Sequence, residues 1–494
     1  MKTIIFSALL VCFVQLLGFS NVTAQQPVPR FETGDCAVPA PPDEKNIVCG
    51  YLVVPEKRAA PNGRTIRLPI AILKSTAANP RPDPVLRTFG GPGASSLGLI
   101  RSRRATPFLR DRDLIVFEQR GTKYAQPALN CPEVDEAKIA GVKRALDART
   151  ARQSELDAAR ACYDRLRREG SDLSAYNSVE SAADIEDLRR VLKIDKLNLW
   201  GLSYSSRLML TVMRYHPQGI RAVVLESSLP PEINYDEKGV DAIVAALDRV
   251  FANCRADADC AKAYPALEKE FYETVANFNK TPLAVEKQDE KTGEKFVIRL
   301  DGNDFVTWIV DYLLSADGAA IANVPLVVHR TFGGDTSIFK RYAVTKLETG
   351  SGLGMRYSVW CGEEFPFEKM TKIRAQSFRY PGLKGYEVMS LPDICGVWKV
   401  PAAARIENTP VESSIPTLVV SAEYDAYTPP AWSASLARHL KNHFLLEIPW
   451  AGHGPAFSTP CLGAAIADFF DDPQKAPAPD CVRETRGKFK FVVK

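Results

Sequence analysis

The sequence predicts an α/β protein, with a mostly parallel, eight-stranded sheet and a mainly helical segment inserted into it. Short apolar runs typical of strands recur before residue 231 and again after residue 404 of the 494-residue chain. Helical stretches separate many of these runs, and such alternation favours a parallel sheet covered by helices on both faces. Between residues 232 and 404 the pattern becomes largely helical.

The predicted strands are runs rich in β-branched and other apolar residues. They cover residues 47–54, 66–73, 84–89, 114–118, 197–200, 222–225, 417–421 and 444–448. A helix is predicted over residues 181–192, where aliphatic residues share one face and acidic residues precede arginines, as the helix dipole favours. Another is predicted over 206–214, directly after the fifth strand.

The segment 232–404 is interpreted as a helical cap inserted between two parts of the core, residues 25–231 and 405–494. It follows a pair of prolines and contains amphipathic stretches, with a charged turn at residues 287–294. The cap therefore separates the first six predicted strands from the last two.

Residues 1–24 have the features of a secretory signal peptide, with a basic start, an apolar run and small residues before a cleavage site predicted after Ala24. The alternative is an uncleaved anchor, but the run is shorter than the roughly 20 residues that cross a bilayer. No later segment approaches that length. We therefore expect a secreted or periplasmic protein without stable membrane insertion after cleavage.

The cysteine count agrees with export. Without Cys12 of the signal, ten of the eleven cysteines remain, an even number that suits an oxidising compartment. Pairing neighbours along the chain is the simplest scheme, and it predicts the disulfides Cys36–Cys49, Cys131–Cys162, Cys254–Cys260, Cys361–Cys395 and Cys461–Cys481. Zinc binding is the alternative, but no cysteine or histidine cluster has ligand spacing, so no metal is expected.

The charge pattern gives no indication of a nucleic-acid partner. The 63 basic and 59 acidic residues leave a net charge of +4, and the basic residues are scattered along the chain. Runs such as residues 101–104 are more typical of a solvated surface than of a phosphate-binding patch. No cofactor is predicted either.

Ser203 is the candidate nucleophile. It follows an apolar run and a Gly-x-Ser turn and precedes a helical segment. This order is typical of a strand-to-helix elbow that exposes a serine hydroxyl beside free backbone N–H groups. The motif G-x-S-x-G is incomplete, because Ser205 occupies the position of the last glycine.

His453 is the candidate base for Ser203, since a serine hydroxyl needs one to attack a carbonyl. Among the five histidines, His453 alone lies between glycines, in a loop soon after the last predicted strand. The other four lie near helix ends or in the cap and are interpreted as structural or surface residues. Ser, then acid, then His is the chain order of an α/β-hydrolase.

Asp425 is the candidate acid that orients His453. It lies in the loop after the strand predicted at 417–421, where the acid of such a triad belongs. Glu423 in the same loop is the alternative. Loop aspartates often only form turns, but the strand end and the chain order favour a catalytic role here.

Gly91 and Tyr204 are the candidate oxyanion donors. Tyr204 follows the nucleophile directly, and a second N–H is expected from a loop after an early strand. The glycine-rich residues 89–96 fit that place, and Pro92 has no N–H, which favours Gly91. A nucleotide-phosphate loop is the rival interpretation, but neither G-x-G-x-x-G nor G-K-[ST] is present.

Taken together, five motifs resemble those of the prolyl aminopeptidase and tripeptidyl-aminopeptidase-like branch of the α/β-hydrolases. The matches are residues 90–93 to H-G-G-P-G, 118–122 to D-Q-R-G-T, 201–205 to G-x-S-Y-G, 425–429 to D-x-x-T-P, and 452–454 to G-H-G. The resemblance covers essentially the whole mature chain, including its cysteine-bearing C-terminal segment. It implies an α/β-hydrolase fold and exopeptidase action on free peptide N-termini. Phe89, Glu118 and Ser205 depart from the family pattern.

The same resemblance implies that carboxylates from the cap bind the α-amine of the substrate. Glu363 and Glu364 are the candidates, with Trp360 shaping the pocket. A solvated acidic loop and a tryptophan buried for packing are the alternative interpretations. The expected substrates are peptides with free N-termini.

Two other functions stay open. The same triad would serve a carboxylesterase or lipase-like enzyme that acts on small esters, because the machinery barely distinguishes ester from amide. A non-catalytic binding protein on a decayed hydrolase scaffold is suggested by the missing elbow glycine, but the intact Ser203, Asp425 and His453 argue against it.

Overall fold

The computed structural model describes residues 27–41, 46–101, 109–386, 391–457, 459–477, 482 and 489–494. Its main sheet has nine strands in the order β1-β2-β3-β5-β4-β6-β7-β10-β11. They are β1 (Arg30–Thr33), β2 (Ile47–Pro55), β3 (Thr65–Leu73), β4 (Val85–Thr88), β5 (Leu114–Phe117), β6 (Leu197–Leu202), β7 (Ile220–Glu226), β10 (Thr417–Ala422) and β11 (His443–Ile448).

All eight predicted strands are present, so the predicted α/β class is confirmed. The number of strands was wrong by one, because β1 pairs antiparallel with β2 at the edge of the sheet. With the sequence R-F-E-T, β1 is too short and too polar to stand out as a strand. The five ladders from β5 through β11 are parallel, and the three between β1, β2, β3 and β5 are antiparallel.

The strands at the centre of the sheet are buried on both faces. Every residue of β4, β5, β6 and β10 is buried, as expected for parallel strands covered by helices. Two apolar cores form, one on each face of the sheet. Because β4, β6, β7 and β10 are parallel neighbours, the loops that leave their carboxyl ends meet along one edge.

The helices cover this sheet and fill the segment between β7 and β10. Those of the core are α1 (Pro132–Lys143), α2 (Ala148–Arg168), α3 (Ser178–Val191), α4 (Tyr204–Tyr215), α14 (Pro430–Ala437) and α15 (Pro460–Asp471). Those between β7 and β10 are α5 (Tyr235–Ala256), α6 (Ala258–Ala263), α7 (Leu267–Lys280), α8 (Gly302–Leu314), α9 (Gly318–Ala322), α10 (Val324–Phe332), α11 (Leu353–Val359), α12 (Met370–Arg379) and α13 (Leu391–Val397).

Residues 232–404, which lie between β7 and β10 and are called the insertion below, contribute most of an apolar cluster around Phe271, Phe305 and Phe339. Tyr424, Ala426 and Phe491 complete this cluster from the C-terminal part of the chain. The charged stretch predicted as a turn is the tip of an antiparallel hairpin, β8 (Leu283–Gln288) and β9 (Lys295–Leu300). The insertion also packs on the pair α1 and α2 through a further apolar cluster.

Four of the five predicted disulfides are present: Cys36–Cys49, Cys131–Cys162, Cys254–Cys260 and Cys361–Cys395. Cys481 of the fifth pair and the predicted signal peptide 1–24 lie outside the described residues. Within the described part of the chain, no helix combines the length and apolar character needed to cross a membrane.

Candidate active site

Ser203 stands at a sharp strand-to-helix turn between β6 and α4. Its backbone has φ 61° and ψ −130°, a left-handed region that a non-glycine residue adopts only at a cost. Its side chain makes no capping hydrogen bond to α4, so the hydroxyl is not used up by the helix. The turn is so tight that a Cβ added to Gly201 would lie 2.3 Å from the Ser205 carbonyl oxygen.

His453 and Asp425 form a hydrogen-bonded pair. The imidazole Nδ1 lies 2.9 Å from Asp425 Oδ2 and 3.1 Å from Oδ1. Asp425 is held from behind by the backbone N–H groups of Tyr427, at 3.0 Å, and Thr428, at 2.9 Å. The Asp425 carboxylate is buried, whereas His453 keeps 18% of its side chain exposed, as a base that must reach a substrate requires.

The loops that carry Ser203 and His453 meet at the end of β7. The Ser203 N–H donates to the Glu226 carbonyl oxygen at 3.0 Å, and the Gly454 N–H donates to Ser227 Oγ at 3.0 Å. A Cβ on Gly454 would lie 3.3 Å from the Leu202 side chain. The structure therefore brings all three predicted triad residues to one edge of the sheet.

The glycine-rich loop after β4 lies against the elbow. A Cβ on Gly90 would stand 2.7 Å from the Tyr204 nitrogen and 2.8 Å from Ser203 Cβ, so only glycine fits there. Gly91 follows with a φ of 111°, another conformation that favours glycine. The two predicted oxyanion donors, Gly91 and Tyr204, thus belong to backbones in close contact.

Glu118, one of the departures from the family pattern, anchors this loop. Its buried carboxylate accepts from the Ser96 N–H at 2.9 Å, Ser95 Oγ at 3.0 Å and Thr122 Oγ1 at 2.8 Å. Although glutamate is longer than the aspartate of the family pattern, the Glu118 carboxylate still binds the backbone of the glycine-rich loop. Burial, the largest effect, raises the pKa of Glu118, although these hydrogen bonds oppose it.

The other two departures, Phe89 and Ser205, contact each other. Ser205 Oγ donates to the Phe89 carbonyl oxygen and accepts from Gln119 Nε2 at 3.0 Å. Gln119 Nε2 also donates to the Phe89 carbonyl oxygen at 2.6 Å. The hydroxyl that replaces the elbow glycine thus links α4 to the residue that precedes Gly90.

Replacing Ser205 by alanine is expected to lower the free energy of unfolding by about 1 to 2 kcal/mol, since the buried hydroxyl loses its hydrogen bonds to Phe89 and from Gln119. Ser205→Gly should cost about 1 kcal/mol more, because glycine is a poor helix former. We expect kcat/KM to fall about tenfold in both, since the Phe89–Gly90 backbone loosens beside the oxyanion position. Denaturant unfolding and steady-state kinetics on the same preparations check this. Unchanged stability in Ser205→Ala would contradict the role of the hydroxyl.

The alternative site residues have other partners. Glu423 accepts from Asn253 Nδ2 at 2.9 Å and from the Trp450 N–H at 3.1 Å. It therefore links the insertion to the loop after β11 that carries His453, called the base loop below. His329 pairs with Glu270 and His439 with Glu412. Among the described residues, no group of three or more His, Cys, Asp or Glu side chains is arranged to hold a metal ion.

The three candidate substrate-binding residues lie on one turn of π-helix, Trp360–Glu364, and all are buried. Glu363 accepts from the Ser178 N–H at 2.5 Å and from Ser178 Oγ at 2.6 Å. Glu364 forms an ion pair with Arg207 of α4. Trp360 Nε1 donates to Asp236 Oδ2 at 3.0 Å. Their predicted roles toward a substrate amine remain predictions.

Burial and charge act in opposite directions on His453. Burial, the largest effect, would lower the pKa of the imidazole, but the charge and hydrogen bond of Asp425, followed by the charge of Glu226, raise it above the ordinary 6.5. Burial would likewise raise the pKa of Asp425, but His453 and Thr428 lower it. The pair is therefore suited to an ionised aspartate beside a titrating histidine.

We expect kcat/KM to fall on the acid side with a midpoint above 6.5, because a protonated His453 cannot accept the Ser203 proton. Below that midpoint the value should drop about tenfold per pH unit. A pH profile of kcat/KM measures this directly. A midpoint below 6 would show that burial outweighs Asp425.

Sequence reasoning did not find the partners that hold these residues in place. Thr428 Oγ1 donates to Asp425 Oδ2 at 2.8 Å and lies 3.2 Å from His453 Nδ1. Gln119 links the glycine-rich loop to α4, as described above. Both lie inside motifs that the sequence offered, D-x-x-T-P and D-Q-R-G-T, which were the available signal.

Comparison with known proteins finds several similar chains. A model of the alpha/beta hydrolase fold family matches residues 88–460. The serine protease Hip1 of Mycobacterium tuberculosis is 24% identical over 440 residues, which cover 81% of this chain and 80% of that protein. The tripeptidyl aminopeptidase of Streptomyces lividans is 28% identical over 200 residues, 38% of this chain and 36% of that one.

A putative hydrolase of Escherichia coli, YuaR, is 23% identical over 462 residues, which are 88% of each protein. Among solved structures, proline iminopeptidase of Mycobacterium smegmatis matches with a TM-score of 0.42 and 14% identity, covering 86% of this chain and 98% of that one. A thermophilic esterase of Thermogutta terrifontis matches with a TM-score of 0.39 and 14% identity, covering 86% and 99%.

Proposed function

Because the chain belongs to the alpha/beta hydrolase fold family, we propose that it is a serine hydrolase of the peptidase type, which releases residues or short peptides from free N-termini. Ser203 is the nucleophile, His453 the base and Asp425 the acid. The observation that carries this proposal is the His453–Asp425 pair beside a serine in a strained elbow.

In the proposed mechanism, Ser203 Oγ attacks the scissile carbonyl carbon while His453 Nε2 takes the hydroxyl proton. The N–H groups of Gly91 and Tyr204 bind the oxyanion, and the N-terminus of α4 adds its dipole. His453 then gives the proton to the leaving amine, which yields an acyl-enzyme. A water molecule, deprotonated by His453, releases the acid and restores Ser203.

The insertion is proposed as a cap over this site, so that residues 25–231 and 405–494 form the core. Support comes from its contacts with each loop around Ser203. A Cβ on Gly93 would lie 2.5 Å from the Gly352 carbonyl oxygen. The Gly452 N–H donates to the Ser315 carbonyl oxygen at 2.9 Å. A cap held this closely would admit chain ends more readily than folded chains.

Glu363 and Glu364 are proposed to supply negative charge for the substrate α-amine. Arg207, which pairs with Glu364 and lies 3.8 Å from Glu363 Oε2, balances one of the two charges. Both carboxylates are buried, so they act on an amine through their field more than through direct contact. Trp360 is proposed to shape the pocket beside them.

Secretion or periplasmic location is part of the proposal. It rests on the signal-like residues 1–24 and on four disulfides, which persist in oxidising compartments. Peptides with free N-termini are the proposed partners. The names of relatives that are proteases and aminopeptidases favour peptides over esters.

The test compares three substrate sets on the purified protein: unblocked peptidyl amides, the same amides N-acetylated, and p-nitrophenyl esters. We expect unblocked amides to be cleaved with at least a tenfold higher kcat/KM than blocked ones, roughly 1.4 kcal/mol of recognition of the amine. Mass spectrometry of a digested peptide library then gives the length of the released fragment. Ester cleavage without amide cleavage would reject the peptidase and favour the carboxylesterase alternative.

A further inference from the structure

The end of β7 contributes no residue to the proposed triad, yet it contacts the elbow of Ser203, the loop that carries His453 and the strand that leads to Asp425. Its Glu226 carbonyl oxygen accepts the Ser203 N–H, and its neighbour Ser227 accepts the Gly454 N–H through Oγ. The Ser227 N–H donates to the Val420 carbonyl oxygen of β10 at 2.8 Å. Glu226 and Ser227 together thus join the nucleophile, the loop that carries His453 and the strand that leads to the acid.

The Glu226 side chain makes a second contact with the base loop. Its carboxylate is wholly buried, and Oε1 accepts from the Ala456 N–H at 2.8 Å while Oε2 accepts from Trp200 Nε1 at 2.9 Å. Burying a carboxylate is costly unless it is hydrogen-bonded and charge-compensated. Arg87, also buried, lies with Nη2 3.8 Å from Oε2 and its guanidinium 3.4 Å from the Trp200 ring.

We propose that Glu226 is a positioning residue for the base, which fixes the His453 loop through Ala456 and places a second negative charge near the imidazole. This inference rests on the proposed function. Glu226 does not touch the reacting atoms. It acts through His453, whose imidazolium, formed during attack by Ser203, gains stability from both Asp425 and Glu226.

Several charged or titratable groups surround His453. Asp425 and Tyr427 face it from the loop after β10, and Glu226 stands at the end of β7 with Arg87 of β4 behind it. The charge of Glu226 adds to that of Asp425 in raising the pKa of His453. Arg87 partly compensates the charge of Glu226 from the opposite side, since its Nη2 lies 3.8 Å from Oε2.

The test separates the charge of Glu226 from its contacts. In Glu226→Gln one carboxylate oxygen becomes an amide NH₂ group. In either orientation this group would face a donor, the Trp200 Nε1–H or the Ala456 N–H. In a Trp200→Phe background the donor at Oε2 is gone, so the amide nitrogen turns there and the Ala456 hydrogen bond persists. Glu226→Asp is the converse variant, since it keeps the charge but is too short to reach both donors.

The readout is the rate of Ser203 labelling by a fluorophosphonate across pH, together with kcat/KM. Relative to Trp200→Phe alone, the double variant Trp200→Phe/Glu226→Gln should lose activity on the acid side at a pH about 0.5 to 1 unit lower, because one negative charge near His453 is removed. This acid-side decrease is called the acid limb below. Glu226→Asp should keep the limb near the wild-type position while its maximal rate falls about tenfold.

An acid limb at the same pH in the double variant and in Trp200→Phe, with an unchanged maximal rate in Glu226→Asp, would overturn the inference. The labelling readout needs only a reactive Ser203. A protein that labels but cleaves no peptide would therefore reject the proposed peptidase activity and still test the role of Glu226.

Discussion

Replacing Ser203 by alanine is expected to lower kcat on peptidyl amides by about 10⁵-fold to 10⁶-fold, because no acyl-enzyme forms without the hydroxyl. Some catalysis above the uncatalysed rate should remain, since Gly91, Tyr204 and the substrate contacts still bind the transition state. KM should change little. The strained φ of Ser203 belongs to the elbow backbone, so alanine keeps the fold.

The measurement pairs steady-state kinetics with fluorophosphonate labelling. Ser337→Ala is the matched control, because Ser337 lies in an exposed turn where its hydroxyl bonds Asp335. The control should label and turn over like the wild type, whereas Ser203→Ala should not label and should keep only the residual catalysis. Full activity in Ser203→Ala would remove the serine mechanism. Wild-type protein that never labels would favour the non-catalytic scaffold.

The three residues of the proposed triad could be predicted from sequence because each follows a parallel strand of the sheet. Strand ends of this kind are marked by short apolar runs, and chain order then selects among the few polar residues that follow. Ser203, Asp425 and His453 were predicted in this way. The disulfides were found because the paired cysteines are neighbours in the chain.

What sequence missed depends on contacts between distant segments. Glu226 ends an apolar strand as its one acidic residue, but nothing local shows that it meets Ala456. Ser205 looked like a defect of the elbow motif. Its hydrogen bond to Phe89 joins parts of the chain more than a hundred residues apart, so the sequence around Ser205 does not show it. A solvated acidic loop was the alternative interpretation of Glu363 and Glu364, but both are buried. Their partners Ser178 and Arg207 lie on other helices.

The second large prediction concerns Asp425 and Glu423, the two carboxylates of the loop after β10. Asp425→Asn should lower kcat by about 10⁴-fold. An asparagine amide oriented with its NH₂ toward His453 forces Nδ1 to act as acceptor, so that Nε2 carries the proton and cannot take one from Ser203. The backbone N–H groups of Tyr427 and Thr428 already donate to Oδ1, which favours this orientation of the amide.

Glu423→Gln is the matched control, since it changes the other acid of the same loop. Glu423 bonds Asn253 and the Trp450 N–H rather than His453. We therefore expect less than a tenfold decrease in kcat, as a loosened loop would give. The pH profile separates the two variants further: the acid limb of Glu423→Gln should stay in place, whereas that of Asp425→Asn should move down as the imidazole loses its main anionic partner. Equal losses in both variants would mean that Asp425 acts by holding the loop and not by orienting His453.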